Sequence, residues 1–250
     1  MGLKHLKKYV LTPKSALKHR ALKLKEQSQR SFNLIKNRIS GDYTPKIIPV
    51  SFEGKLPRYN LINAAIKEFG YKKYLEIGCF RDECFSQISC DYKVGVDPQS
   101  GGTVRLTSDD FFLQNNEKFD FIFIDGLHIY EQVRKDILNA LKVLNDGGII
   151  MLHDCLPTRY SYQTVPPEHL IWNGDVWKAF VEARSWADVD GAVCLIDCGI
   201  GMLKKRTNSN KLNFPENTDF KNLKYADLAD NYKQWLNPVE FDDWKNFANS

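Results

Sequence analysis

Residues 119–154, FDFIFIDGLHIYEQVRKDILNALKVLNDGGIIMLHD, place an acidic residue at the end of each of two short apolar runs separated by one amphipathic segment. Residues 121–124 and 149–152 are continuous apolar runs of the kind expected for strands covered on both faces in a parallel sheet. Between them Val133, Ile137, Ala140, Leu141 and Leu144 fall three or four apart with charges opposite. That spacing predicts a helix, which Asp146-Gly147-Gly148 is expected to stop. A βαβ unit follows, and its right-handed crossover sets the two strands parallel. Asp125 and the His153-Asp154 pair therefore emerge at the same carboxyl edge. Neighbouring strands there lie about 5 Å apart, and open α/β sheets bind their ligands at that edge.

The flanking chain extends this unit. Leu61, Ile62, Ala65, Ile66 and Phe69 predict a helix capped by Gly70. Strands are expected at 74–77 and 93–96, separated by a helix starting near Asp82, and a third short strand at 103–106. Residues 155–173 are rich in Pro, Tyr and His and too long for an ordinary connection, as functional loops are. A helix over 175–186 and a hairpin of 193–197 with 201–205 close the pattern, adding an antiparallel strand. Residues 208–250 are polar, with Trp235 and Trp244 as anchors of outer helices.

At 250 residues and 43% apolar, the chain can bury one main core. No apolar run reaches the roughly 20 residues that span a bilayer, and no signal-peptide core follows the charged start, so a cytoplasmic protein is expected. Six cysteines without C-x-x-C spacing argue against a structural zinc site or a small disulfide framework. Residues 1–41 hold eight lysines, three arginines and one glutamate, a net of +10 in a chain whose total is +4. Pro13 divides this arm into two helical candidates, with Leu3, Leu6 and Val10 on one and Leu17, Ala21 and Leu24 on the other. Such an arm can lie on an anionic membrane, contact a polyanion, target the chain, or pack on its own body or on a second subunit of a homo-oligomer.

The strand ends carry the chemistry. Glu76-Ile77-Gly78 closes the first strand, and Asp97 closes the second about 20 residues on, where an acid can hold both ribose hydroxyls of a nucleoside. The turn between them, Cys79-Phe80-Arg81-Asp82-Glu83, offers two carboxylates where a pyrophosphate needs glycines and no negative charge. The same acids are equally ordinary partners of a helix dipole. A phosphate-free, cationic nucleoside such as S-adenosylmethionine suits this acidity better than NAD.

Glu76-x-Gly78, Asp97, Ser108-Asp109, Asp125-Gly126 and the Gly147-Gly148 turn resemble the motifs of class I S-adenosylmethionine-dependent methyltransferases over roughly 74–206. Within them YLEIG, GVDP, TSDDFF, IDGLHIYEQV, LHDCLP and WNGDVWK resemble a bacterial group associated with surface-polysaccharide and small-molecule tailoring. The resemblance implies a Rossmann-like, doubly wound, mostly parallel seven-stranded sheet with an antiparallel C-terminal strand. With it go a basic helical arm (1–41), a methyltransferase domain (42–207) and a helical C-terminal extension (208–250). It implies that Glu76, Gly78 and Cys79 border the methionine part of the donor, that Asp97 binds the ribose, and that Ser108 and Asp109 flank the adenine. Asp125 and Gly126 would lie beside the methyl donor, with His128 lining the pocket. The pattern departs at Asp82, where most members keep a second glycine.

A second resemblance, to macrocin-type sugar O-methyltransferases and catechol-type enzymes, implies a magnesium ion between acids on the fourth and fifth strands. Asp125 and Asp154 match, with His153 in place of an expected oxygen ligand, and histidine favours softer divalent ions. His153 is alternatively the base, so Asp125, His153 and Asp154 form the expected catalytic set under either reading. Trp172, Asn173, Asp175 and Tyr130 are acceptor-side candidates, against helix capping for Asn173 or Asp175 and core packing for Tyr130. Arg159, Tyr160 and Tyr162 are further candidates. The implied activity is O-methylation of a sugar, glycan or small polar hydroxyl compound. The alternatives are an RNA or protein methyltransferase using the arm, and a nucleotide-binding module without turnover.

Overall fold

A computed structural model describes residues 13–39 and 42–249 and divides the chain into two units between Tyr43 and Thr44. The N-terminal unit holds one continuous helix, α1 (Pro13–Ile39), so the second helical candidate runs well past Leu24. The first candidate, with Leu3, Leu6 and Val10, lies outside the described residues.

The second unit begins its regular structure with α2 (Arg58–Phe69), ended by Gly70 in the left-handed region at φ 65°. Then come β1 (Lys73–Ile77), β2 (Tyr92–Val96), α3 (Ser108–Gln114), β3 (Phe119–Ile124), α4 (Tyr130–Val143) and β4 (Leu144–Leu152). After β4 follow α5 (Tyr160–Gln163), α6 (Val176–Ala183), β5 (Val189–Cys194), β6 (Ile200–Lys205), α7 (Tyr225–Leu236), β7 (Pro238–Val239) and α8 (Trp244–Asn249). The strands form one sheet in the order β2-β1-β3-β4-β6-β5-β7, parallel except that β6 runs antiparallel to both of its neighbours. This is the expected Rossmann-like, doubly wound sheet.

Strand alternation distributes the core to the two faces. Phe121 and Phe123 of β3 pack with Leu61 and Ile62 of α2 and Trp244 of α8. Ile122 and Ile124 point the other way, into a cluster with Val133 and Ile137 of α4, Trp177 of α6 and Leu228 of α7. Each such side chain stabilises the fold by about 1.5–3 kcal/mol when fully buried. The register places the tips together: Ile77 is level with Ile124, and Ile124 with Leu152, so Gly78, Asp125 and His153 each follow a paired end.

Several local expectations change. The third strand at 103–106 reduces to a single bridge between Val104 and Val96, and the seventh strand is β7, from the segment expected to be only helical. No α-helix starts at Asp82. Phe80 and Asp82 lie at φ 48° and 62°, which interrupts a right-handed helix, and only a short 3-10 turn (Phe85–Gln87) follows. The left-handed value at Asp82 is one that a glycine adopts without cost and that aspartate tolerates. Asp146-Gly147-Gly148 does not stop α4, which ends at Val143; it lies in β4, where the register with β3 shifts between Phe119 and Phe121. The hairpin's first strand is 189–194 rather than 193–197, because Asp197 and Cys198 turn left-handed at φ 39° and 64°. The helix expected over 175–186 is α6, ending at Ala183.

Candidate active site

A cavity of about 1010 Å³ opens at the carboxyl edge of β1, β2, β3 and β4. Its walls include Glu76, Gly78, Cys79, Asp97, Ser108, Asp109, Asp125, Gly126, His128, His153, Asp154 and Trp172. The structure thus brings every residue expected at the donor, metal or base position to one space. Gly78, at φ 87°, allows the tips of β1 and β3 to meet: a Cβ there would stand 2.2 Å from the Asp125 carbonyl oxygen.

The β1 and β2 side of the cavity is built on tied-down carboxylates. Glu76 is buried, and the Tyr74 hydroxyl donates to its Oε2 at 2.5 Å. Burial pushes its carboxyl up to about 7, with the Tyr74 hydrogen bond working the other way. Asp97 accepts backbone N–H bonds from Phe80 (2.9 Å), Gln99 (2.8 Å) and Ser100 (2.9 Å). These outweigh its desolvation and hold it below the usual carboxylate range. Three of a carboxylate's roughly four lone-pair directions are so used, leaving one for a hydroxyl. Ser108 and Asp109 begin α3, capped by Thr107, and both accept from Gln132 Nε2, at 3.1 and 3.0 Å.

At the tips of β3 and β4 two aspartates and two histidines form a ring. His128 Nε2 lies 3.1 Å from Asp125 Oδ1 and its Nδ1 3.1 Å from Asp154 Oδ2. His153 Nδ1 lies 3.3 Å from Asp125 Oδ1 and 3.1 Å from Asp154 Oδ2. Asp154 itself stands at φ 62°, an unusual conformation of the sort that collects at functional sites. Asn173 Nδ2 donates to its Oδ1 at 2.6 Å.

Two residues that sequence reasoning missed complete the ring. Arg58, the first residue of α2, reaches Asp125 Oδ2 at 3.3 Å and Asp197 Oδ2 at 3.2 Å. Asp197, in the turn between β5 and β6, also lies 3.3 Å from His153 Nε2 and accepts from the Arg58 backbone N–H at 2.8 Å. Three carboxylates thus face one guanidinium and two imidazoles. Burial opposes charge on His153, but Asp154 and Asp125 raise it well above the usual histidine range. His128 is raised against its own burial by the hydrogen bond to Asp125 and the charge of Asp154. Asp197 is drawn down to about 2, the hydrogen bond and charge of His153 outdoing its burial. Both ring nitrogens of His153 face carboxylates, Nδ1 toward Asp125 and Asp154 and Nε2 toward Asp197, so the ring ties the tip of β4 to the β5–β6 turn.

The acceptor-side candidates divide. Trp172 lines the cavity, its ring 5.4 Å from that of His128 and tilted by 32°. Asn173 reaches the site only through Asp154. Asp175 and Tyr130 lie off the cavity wall: Asp175 Oδ1 accepts from the backbone N–H of Tyr130 at 2.6 Å, and the Tyr130 hydroxyl donates to Glu182 at 2.7 Å. Asp175 therefore caps α4, not its own helix. Gly174, at φ 62°, lets this segment press on the turn before α4, since a Cβ there would meet the His128 carbonyl oxygen at 1.9 Å. Tyr160 is buried against Tyr225, Tyr162 rests against His169, and Arg159 bridges to Ile47, so the three serve the loop rather than the cavity wall.

Asp125, His128 and Asp154 offer donor atoms that all lie within 4.8 Å of one another, a spacing open to a metal ion. In this group His128 stands where the sequence suggested His153.

Residues 91–155 match the model of a family described as a methyltransferase domain. That segment runs from β2 to the residue after Asp154, within the Rossmann-like sheet. No curated protein matches the chain. Among solved structures, the chain is similar to the O-methyltransferase from Bacillus cereus in complex with SAH, at 14% identity and a TM-score of 0.46, over 70% of this chain and 90% of that one. It is also similar to the O-methyltransferase TomG from Streptomyces achromogenes in complex with SAM, at 14% identity and 0.45, over 65% and 82%. The SAH-bound methyltransferase PaMTH1 of Podospora anserina aligns at 15% identity and 0.44, over 60% and 78%.

Proposed function

We propose that the protein is an S-adenosylmethionine-dependent O-methyltransferase whose acceptor is a hydroxyl of a small polar ring compound such as a sugar. The observation that carries this reading is the charge layout of the cavity. Four successive strand tips present Glu76, Asp97, Asp125 and Asp154, and among the lining residues Arg58 is the one permanent cation. A donor with a sulfonium, an ammonium and a single carboxylate complements that layout, and a pyrophosphate does not. Glu76 would meet the ammonium, Asp97 a ribose hydroxyl, and Arg58, the permanent cation of the lining, the carboxylate.

The acceptor ring would lie against Trp172, with its hydroxyl toward Asp125, His128 and Asp154. There it is held in line with the methyl–sulfur bond and loses its proton to that cluster as the C–O bond forms. The mixed nitrogen and oxygen donors of Asp125, His128 and Asp154 fit a divalent ion of the manganese, iron or zinc type better than magnesium. An ion bound there would acidify the hydroxyl.

The test incubates the protein with methyl-labelled donor and a panel of nucleotide-sugars and glycans, alongside calorimetry with S-adenosylhomocysteine. Label on an acceptor oxygen is expected. Well-folded protein that ignores S-adenosylhomocysteine and saturates with NADH would sink the reading.

A further inference from the structure

The described side chains of α1, residues 24–39, carry an apolar stripe that α1 itself does not cover. Leu24, Phe32, Ile35 and Ile39 are 58%, 62%, 56% and 80% exposed. At 3.6 residues per turn they fall within one sector of about 80°. Lys25 and Lys36 border one edge of that sector and Arg38 the other, all exposed. Glu26, the one acid in residues 1–41, falls on the opposite side.

A nucleic acid would use the cations and leave an exposed aromatic and aliphatic stripe in water. A second copy of the helix would bring like charges to both borders of the stripe, with no acid there to pair them. An anionic bilayer satisfies both features at once: the apolar side chains enter the acyl boundary while the flanking stems reach up to the headgroups. No described helix is long and apolar enough to cross a membrane.

We propose that α1 is an interfacial helix that docks the protein on an anionic phospholipid surface. The test floats the full chain with phosphatidylcholine vesicles, with and without phosphatidylglycerol. Binding is expected only to the anionic vesicles and should weaken as salt rises. The double substitution Phe32→Asp and Ile35→Asp should weaken it at least about tenfold, and Lys25→Glu with Lys36→Glu and Arg38→Glu likewise. Both variants should bind S-adenosylhomocysteine as the unaltered chain does. Three outcomes overturn the proposal: no flotation with either vesicle, binding that survives the two aspartates, or self-association by sedimentation that the aspartates abolish while vesicles are ignored.

Discussion

His153 joins the tip of β4 to the β5–β6 turn, its Nδ1 3.1 Å from Asp154 and its Nε2 3.3 Å from Asp197. The carboxylates of Asp154 and Asp125 raise the ring well above the usual histidine range against its own burial, so its protonation is linked to folding. A histidine raised above its unfolded value stabilises fully below about 6.5 and loses that contribution as pH climbs through the folded value. The stability advantage of the unaltered chain over His153→Gln, measured by urea unfolding, is therefore expected to shrink steadily on the alkaline side of neutrality. An advantage that grows with pH would refute this.

Arg58→Met separates the two ends of the donor. It should weaken S-adenosylhomocysteine by about ten- to a hundredfold, as expected for loss of a charge-assisted pair. Methylthioadenosine, which lacks the amino-acid carboxylate, should bind as before. Equal losses for both ligands in calorimetry would show that Arg58 shapes the pocket instead.

Glu76 titrates at about 7 because it is buried. Its folded pKa lies above the unfolded one, so between about 4.5 and 7 the native state binds the extra proton and stability falls as pH rises. Glu76→Gln should be more stable than the unaltered chain above pH 7, by up to about 3 kcal/mol. The same variant should bind S-adenosylhomocysteine more weakly and with no inflection near neutrality, as the proposed pairing of the ionised carboxylate with the ammonium requires.

The Asp125, His128 and Asp154 group can be assayed directly with ions. Titration calorimetry should show manganese or cobalt binding more tightly than magnesium, and Asp154→Asn should weaken it by about ten- to a hundredfold. If all ions give no heat and chelator leaves turnover unchanged, the cluster works with its own protons.

On the proposed function, Trp172→Ala should raise the acceptor KM several-fold with little change in donor affinity, since the ring lies beside His128 on the cavity wall. An unchanged KM would remove it from the binding surface.

The sheet and half of the site were legible because their signals are local. An apolar run ending in an acid marks a strand tip: Asp97 and Asp125 directly follow β2 and β3, Asp154 lies two residues past β4, and Glu76 is the penultimate residue of β1. Arg58 gave no such signal: it opens a helix whose reading rested on its apolar face, and its partner Asp197 lies 139 residues away. Asp197 itself sits in a turn whose left-handed backbone nothing in its neighbours' composition announces. Asp175 misled for the same reason, since its capping target is α4, 45 residues earlier.

Because β6 is threaded between β4 and β5, the turn bearing Asp197 reaches His153 only after the last long strands have been laid down. A nascent or truncated chain ending before that hairpin would keep Asp125 and Asp154 but lack Asp197, one of the counter-charges that hold Arg58 and His153. Products that stop short of the hairpin are therefore expected to hold both side chains less firmly than the full chain does.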